Sequence, residues 1–208
     1  MPRYALTDLH GCPKTFLTML AKIGLTREDD LFLLGDYVDR GPDSEGMLTA
    51  IWDLENQGYR VTSLMGNHEA MWLNDLYLEM ARGNSLGPIR SQALEWMYRL
   101  PRYAETPGYL LVHAGLNFRH PNPLHDQESM IWIRNWYESL DKDWLGDRVL
   151  VHGHTPEPLQ SVQYGIEHIQ RDQRVCIDSG CAFTLPGMGY LTALNLDTQE
   201  GIYLKRVD

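Results

Sequence analysis

Five short segments of the chain set Asp, His or Asn beside glycine. They are Asp8-Leu9-His10-Gly11, Gly35-Asp36-Tyr37-Val38-Asp39-Arg40-Gly41, Gly66-Asn67-His68-Glu69, His113-Ala114-Gly115 and Gly153-His154-Thr155. Each follows an apolar run that reads as a strand. Singly, each has an ordinary explanation: an Asp after a strand is commonly a turn or cap residue, and Asn67 alone is a helix N-cap. Five such coincidences read instead as the ligand shell of a two-metal hydrolytic site. The donors at the strand ends, Asp8, Asp36, Asn67, His113 and His154, are oxygen and imidazole without thiolate. That set suits Mn²⁺, Fe or Zn²⁺ better than a soft-metal site or an all-oxygen calcium cage.

The chemistry follows from the residue types. Two dications about 3.5–4 Å apart share a carboxylate and a water and clamp an in-line displacement. Coordination lowers the pKa of that water from about 16 towards 7, giving hydroxide at neutral pH. A phosphate substrate then needs cationic donors, and Arg40, in the turn after Asp36, offers a guanidinium fork that matches phosphate oxygens. The leaving oxygen needs a proton. His68 is the natural donor, with Asp39 to orient and charge its imidazole. His152 shares a strand face with His154 and is a candidate for a supporting group or an extra ligand, whereas His120, His125 and His168 read as surface residues.

Open α/β sheets gather ligands at the carboxyl ends of their strands, so the elements must bring five such ends together. Residues 3–8, 31–35 and 60–65 read as strands separated by helices over 13–23 and from Asp43 to about Gln57. This β-α-β-α-β order predicts a parallel sheet with crossover helices. Residues 68–82 and 89–99 read as helices, 109–113 and 148–152 as strands, 116–126 as a loop, and the Trp-rich 127–145 as helix. Segments 166–170, 173–178, 190–196 and 201–207 read as short strands, suggesting a second, mixed or antiparallel sheet.

Composition narrows the class. The chain has 208 residues, 43% of them hydrophobic, which predicts one domain over residues 1–208. A net charge of -10 argues against nucleic acid as a partner, and part of the excess acid is accounted for by carboxylates gathered around cations. No apolar run approaches the roughly 20 residues of a membrane span. The opening Met1-Pro2-Arg3-Tyr4 runs straight into a strand, so no signal peptide and a cytoplasmic location are expected. Cys12, Cys176 and Cys181 are odd in number and include no CxxC pair, against a disulfide framework or a zinc knuckle. A monomer is the starting assumption. No Cys-x5-Arg loop and no Walker motif is present, which excludes those two phosphate chemistries.

Together the motifs resemble the metal-dependent phosphoprotein phosphatase family of Ser/Thr phosphatases, in its small bacterial and phage form, within the calcineurin-like metallophosphoesterase superfamily. The resemblance covers about Asp8 to Thr155, and the later Ile177-Asp178-Ser179-Gly180-Cys181-Ala182-Phe183 segment fits that family's closing strands. It implies an α/β fold of two facing mixed β-sheets flanked by helices, with the site at one edge. It implies that Asp8, His10 and Asp36 hold one metal, and that Asp36 bridges to a second held by Asn67, His113 and His154. His68 and Asp39 match the catalytic pair, Arg40 matches one phosphate-binding arginine, and Arg134 fits the place of another.

The activity implied is dephosphorylation of phosphoserine or phosphothreonine in a protein or peptide partner, with phosphotyrosine a secondary candidate, by a metal-bridging hydroxide, with Mn²⁺ the favoured ion. The alternative is a symmetrical dinucleoside tetraphosphate hydrolase, which resembles the same family but reads Gly-Asn-His-Asp and lacks the Asp-Arg pair. Glu69 and Asp39-Arg40 therefore favour the protein phosphatase, and Pro156, where related metallophosphoesterases carry a further His, favours it too. A non-catalytic binding module would lack a ligand or His68, and neither is missing.

Overall fold

A computed structural model describes residues 1–208. Nine strands form two sheets. In the first, β1 (Arg3–Leu6), β2 (Asp30–Leu33) and β3 (Arg60–Ser63) run parallel, and the antiparallel hairpin β8 (Tyr190–Asn195) and β9 (Glu200–Lys205) extends it, in the order β3-β2-β1-β8-β9. In the second, β5 (Tyr109–Val112), β6 (Val149–His152) and β7 (Arg174–Cys176) are parallel, and β4 (Tyr103–Thr106) pairs antiparallel at the edge.

Alternation along the strands builds the layers. Ala5, Phe32 and Leu194 of the first sheet and Leu111, Val151 and Val175 of the second share one buried cluster, so the sheets face each other. The opposite parity, Leu6, Leu31 and Leu33, packs with Phe16 and Met19 of α1 (Pro13–Ile23) and Leu48 and Ile51 of α2 (Ser44–Asn56). Behind the second sheet, Leu110, Val112 and Leu150 pack on Leu116, Met130 and Trp136. Each fully buried Leu contributes about 1.5–3 kcal/mol of apolar transfer, which fixes the strand register and with it the strand ends.

The helices start and stop where local chemistry dictates. Pro13 occupies the first turn of α1, and Gly24 ends it at φ 64°. Asp43 caps α2 by accepting from Gly46 N at 2.8 Å. Two further helices, α3 (Asn67–Ala81) and α4 (Pro88–Tyr98), pack together.

Several expectations need correction. Residues 127–145 are not one helix but α5 (Ser129–Trp132), a 3₁₀ turn (Tyr137–Ser139) and α6 (Lys142–Leu145). Asn135 adopts φ 57°, which no right-handed helix contains, and Trp136 is buried while Trp132 is exposed. Segment 166–170 is not a strand: it belongs to α7 (Leu159–Glu167) and α8 (Ile169–Asp172). Val162, Ile166 and Ile169 bury one helical face, a period that the shorter window hid. The late strands do not form a sheet of their own, because β7 joins the second sheet while β8 and β9 join the first. Strand β4, polar and flanked by Pro101 and Pro107, gave no sequence signal.

Candidate active site

Every strand that ends in one of the five motifs is a parallel one, and the carboxyl ends of both sheets converge. Asp8 follows β1, Asp36 follows β2, Asn67 opens α3 after β3, His113 follows β5 and His154 follows β6. The loops are tied to one another by backbone bonds: Asp8 N to Gly35 O (3.1 Å), His10 N to Asp36 O (2.8 Å), Gly11 N to Tyr37 O (2.7 Å) and Gly153 N to His113 O (2.7 Å). Gly35, at φ +100°, lets the β2 and β3 loops touch, since a Cβ there would lie 2.6 Å from Gly66 N. Six residues of the motifs, Asp8, His10, Asp36, Asp39, Arg40 and His154, hold positive φ without being glycine. Each such conformation costs on the order of 1 kcal/mol or more, so the surrounding bonds must impose it.

Glu69 is the main clamp. Its buried carboxylate accepts from the amides of Asp36 (2.7 Å), Tyr37 (2.7 Å), Val38 (3.3 Å) and Gly66 (3.0 Å), joining the turn after β2 to the start of α3. Burial pushes the Glu69 carboxyl up, and these four donors oppose that shift.

The buried side chains present lone pairs to one another. His113 Nδ1 donates to Leu34 O (2.9 Å), which leaves Nε2 of the neutral ring as an acceptor. That Nε2 nevertheless lies 3.0 Å from Asn67 Oδ1, 3.4 Å from Asp36 Oδ1 and 3.2 Å from His154 Nδ1. His10 repeats the pattern: Nδ1 donates to Val38 O (2.9 Å), and Nε2 faces Asp36 Oδ2 at 3.6 Å and Asp8 Oδ1 at 3.8 Å. Burial lowers the imidazole pKa of His10 to about 4 and of His154 to about 3, so at neutral pH these rings supply no extra proton to separate the lone pairs. Asp8 Oδ2 accepts from Thr7 Oγ1 (2.7 Å) and His154 N (2.9 Å), yet Asp8 Oδ1 is buried with no partner. Burial, with Asp8 and Glu69 nearby, raises the Asp36 carboxyl well above its ordinary value.

Converging acceptors, an orphaned carboxylate oxygen and crowded acid are what a divalent cation relieves. His10, Asp36 and His68, and separately Asp36, His113 and His154, each bring ligand atoms within 4.8 Å of one another, with Asp36 common to both groups. The residues present therefore fit metal ions.

Beside this cluster, His68 Nδ1 donates to Asp39 Oδ2 (2.7 Å), and Nε2 faces the cluster 4.0 Å from Asp36 Oδ2. Burial works to raise the Asp39 pKa, but hydrogen bonds from His68 and from Trp72 Nε1 (2.7 Å to Oδ1) hold it below the usual carboxylate range. Arg40 Nη1 lies 3.1 Å from His10 Nε2. Arg134 stands at the exposed rim, in the loop after α5, with Nη1 donating to Thr155 Oγ1 at 3.4 Å. His152 is not in the cluster: Nδ1 points at Gly153 O (3.1 Å) and Nε2 meets Tyr137 Oη (3.0 Å), so it supports the loop that carries His154.

Sequence reasoning missed two residues. Asp178, just after β7, is buried and accepts from Gly180 N (2.9 Å), and burial with the Asp8 charge nearby raises its carboxyl pKa well above the ordinary value. The strand-end rule that found the others points to it as well. Trp72 gave no comparable signal, because its role depends on facing Asp39 from the next turn of α3.

The chain matches the calcineurin-like phosphoesterase family over residues 1–183 and belongs to it. A symmetrical bis(5'-nucleosyl)-tetraphosphatase of Nitrosomonas europaea is 36% identical over 124 residues, 56% of this chain and 45% of that protein. The chain thus spans about half the length of the curated relatives it matches. Among solved structures, a candidate diadenosine tetraphosphatase superposes with a TM-score of 0.72 at 21% identity, covering 98% of this chain and 92% of the other. A protein serine/threonine phosphatase from Saccharomyces cerevisiae gives 0.73 at 16%, covering 100% and 81%. At these identities both structures bear on the fold alone, which is the two facing mixed sheets expected.

These relatives overturn the expected protein serine/threonine phosphatase and its phosphoprotein partner. The physical reason lies in the residues that argued for them. Glu69 binds four backbone amides, so its length reports how two loops are joined and not what the phosphate is attached to. Asp39 accepts from His68 and Arg40 lies beside His10, contacts within the chain that do not distinguish a phosphate ester from an anhydride. No helix is long and apolar enough to cross a membrane.

Proposed function

We propose that the chain is a divalent-metal-dependent hydrolase of dinucleoside tetraphosphates, cleaving the central anhydride to give two nucleoside diphosphates. The substrate class rests on the 36%-identical relative of that name. The reaction type rests on one observation above the rest, the convergence of buried lone pairs from Asp8, His10, Asp36, Asn67, His113 and His154.

In this reading Asp8, His10 and Asp36 would hold one ion, and Asp36, Asn67, His113 and His154 would hold the second, with Mn²⁺ the ion we favour. Bound ions would supply a water whose pKa is lowered towards 7 and a positive clamp on phosphate oxygens. The chain's own residues do the rest. Arg40 and Arg134 bind phosphate oxygens and neutralise the charge that builds as the anhydride opens. His68 donates a proton from Nε2 to the departing phosphate oxygen. Asp39 accepts from Nδ1–H, which fixes the ring's tautomer and orientation, and Trp72 keeps Asp39 turned toward it.

A substrate panel with added Mn²⁺ tests the reading. Diadenosine tetraphosphate should exceed an aryl phosphate and a phosphoserine peptide in kcat/KM. A preference for either monoester would contradict it.

A further inference from the structure

The site extends past Arg40. The Arg40 Cζ stands 5.0 Å from the centroid of the Phe183 ring, on the loop between β7 and β8. Phe183 is half-buried and lines a cavity of about 470 Å³ with Met188, Tyr190, Lys205 and Arg206. In a chain of net charge -10, two side-chain cations stand against one side-chain carboxylate on the wall of this cavity, an excess of positive charge. The carboxylate among the lining residues, Asp208, is engaged elsewhere: it accepts from Lys14 N (3.0 Å), Thr15 N (2.7 Å) and Thr15 Oγ1 (2.6 Å) at the start of α1. Arg206 is fixed in place by donation from Nη1 to Ala182 O (3.0 Å), next to Phe183.

The order of chemistry along this path is metal cluster, guanidinium, aromatic ring, then a pocket of mixed aromatic, aliphatic and cationic side chains. A nucleoside diphosphate presents a matching order: reacting phosphate, second phosphate, ribose, base. We propose that Phe183 and its cavity form the nucleoside subsite, where the base of one half of the substrate stacks on the ring. The phosphates of that half run past Arg40, and Lys205 and Arg206 stand on the cavity wall. This rests on the tetraphosphatase reading and adds the place of one nucleoside and the ring that recognises it. Every base has a π-face, so such stacking separates nucleotides from bare polyphosphate and not one base from another.

Titration calorimetry on the Mn²⁺-loaded protein tests the subsite without requiring turnover. ADP is compared with methyl diphosphate, which carries the same phosphates without the nucleoside. The unaltered protein should bind ADP about tenfold more tightly, the size expected for one stacked base. Phe183→Leu should bring the two affinities together, Phe183→Trp should keep them apart, and UDP should behave like ADP. Equal binding of ADP and methyl diphosphate by the unaltered protein, no ADP binding, or a preference that survives Phe183→Leu would each overturn the proposal. A Phe183-dependent ADP preference in a protein that leaves diadenosine tetraphosphate intact would contradict the proposed reaction but not this subsite. Turnover without that preference would contradict the subsite alone.

Discussion

At the scale of single residues, His68 carries the sharpest expectation. Its Nδ1 is committed to Asp39, so only Nε2 is available to a leaving oxygen. Proton donation matters in proportion to the basicity of what departs. His68→Asn should therefore slow an alkyl phosphate by about 10²–10⁴ in kcat and a nitrophenyl phosphate far less. Equal losses on both would remove His68 from that role. Asp36 has a different kind of importance, because it lies in both groups of potential ligands. Asp36→Asn should lower bound Mn²⁺ and activity together, as read by metal analysis of the dialysed protein beside its rate. Full metal content with normal activity would sink the two-metal assignment.

At the scale of elements, the turns after β2 and β3 are joined through Glu69, and backbone bonds tie the turn after β1 to them. Shortening that side chain should weaken the junction without touching substrate choice. Glu69→Asp is expected to cost about 1–3 kcal/mol, seen as a Tm several degrees lower. The ratio of diadenosine tetraphosphate to aryl phosphate turnover should stay where it was. A shift in that ratio would restore Glu69 as a determinant of substrate.

This scale also shows what was legible in the sequence. Asp8, Asp36, Asn67, His113 and His154 were readable because each sits in a short motif at the end of an apolar run, and open parallel sheets bring such ends together. The helices α1 and α2 were readable from Pro13, Asp43 and the periodic apolar faces between their caps. The left-handed backbone of six motif residues had no local signal, since it is imposed by bonds between loops distant in sequence. For the same reason Trp72 was invisible, and the role of Glu69 was mistaken for a substrate signature. The membership of β7, β8 and β9 in two different sheets depends on long-range pairing, which short strands with weak patterns do not encode locally.

At the scale of the whole molecule, two sheets with converging carboxyl ends concentrate buried carboxylate and neutral imidazole in one place. Divalent ions that bind the folded chain alone should therefore stabilise it by mass action. Chelation should lower the Tm and added Mn²⁺ should restore it, as followed by calorimetry; an unchanged Tm would contradict the metal cluster. The central claim, however, concerns which bond is broken. Diadenosine tetraphosphate should be incubated with the Mn²⁺-loaded protein and the earliest products separated by ion-exchange chromatography. ADP as the sole nucleotide product is the result expected. Intact substrate, or AMP and ATP in equal amounts, would contradict it.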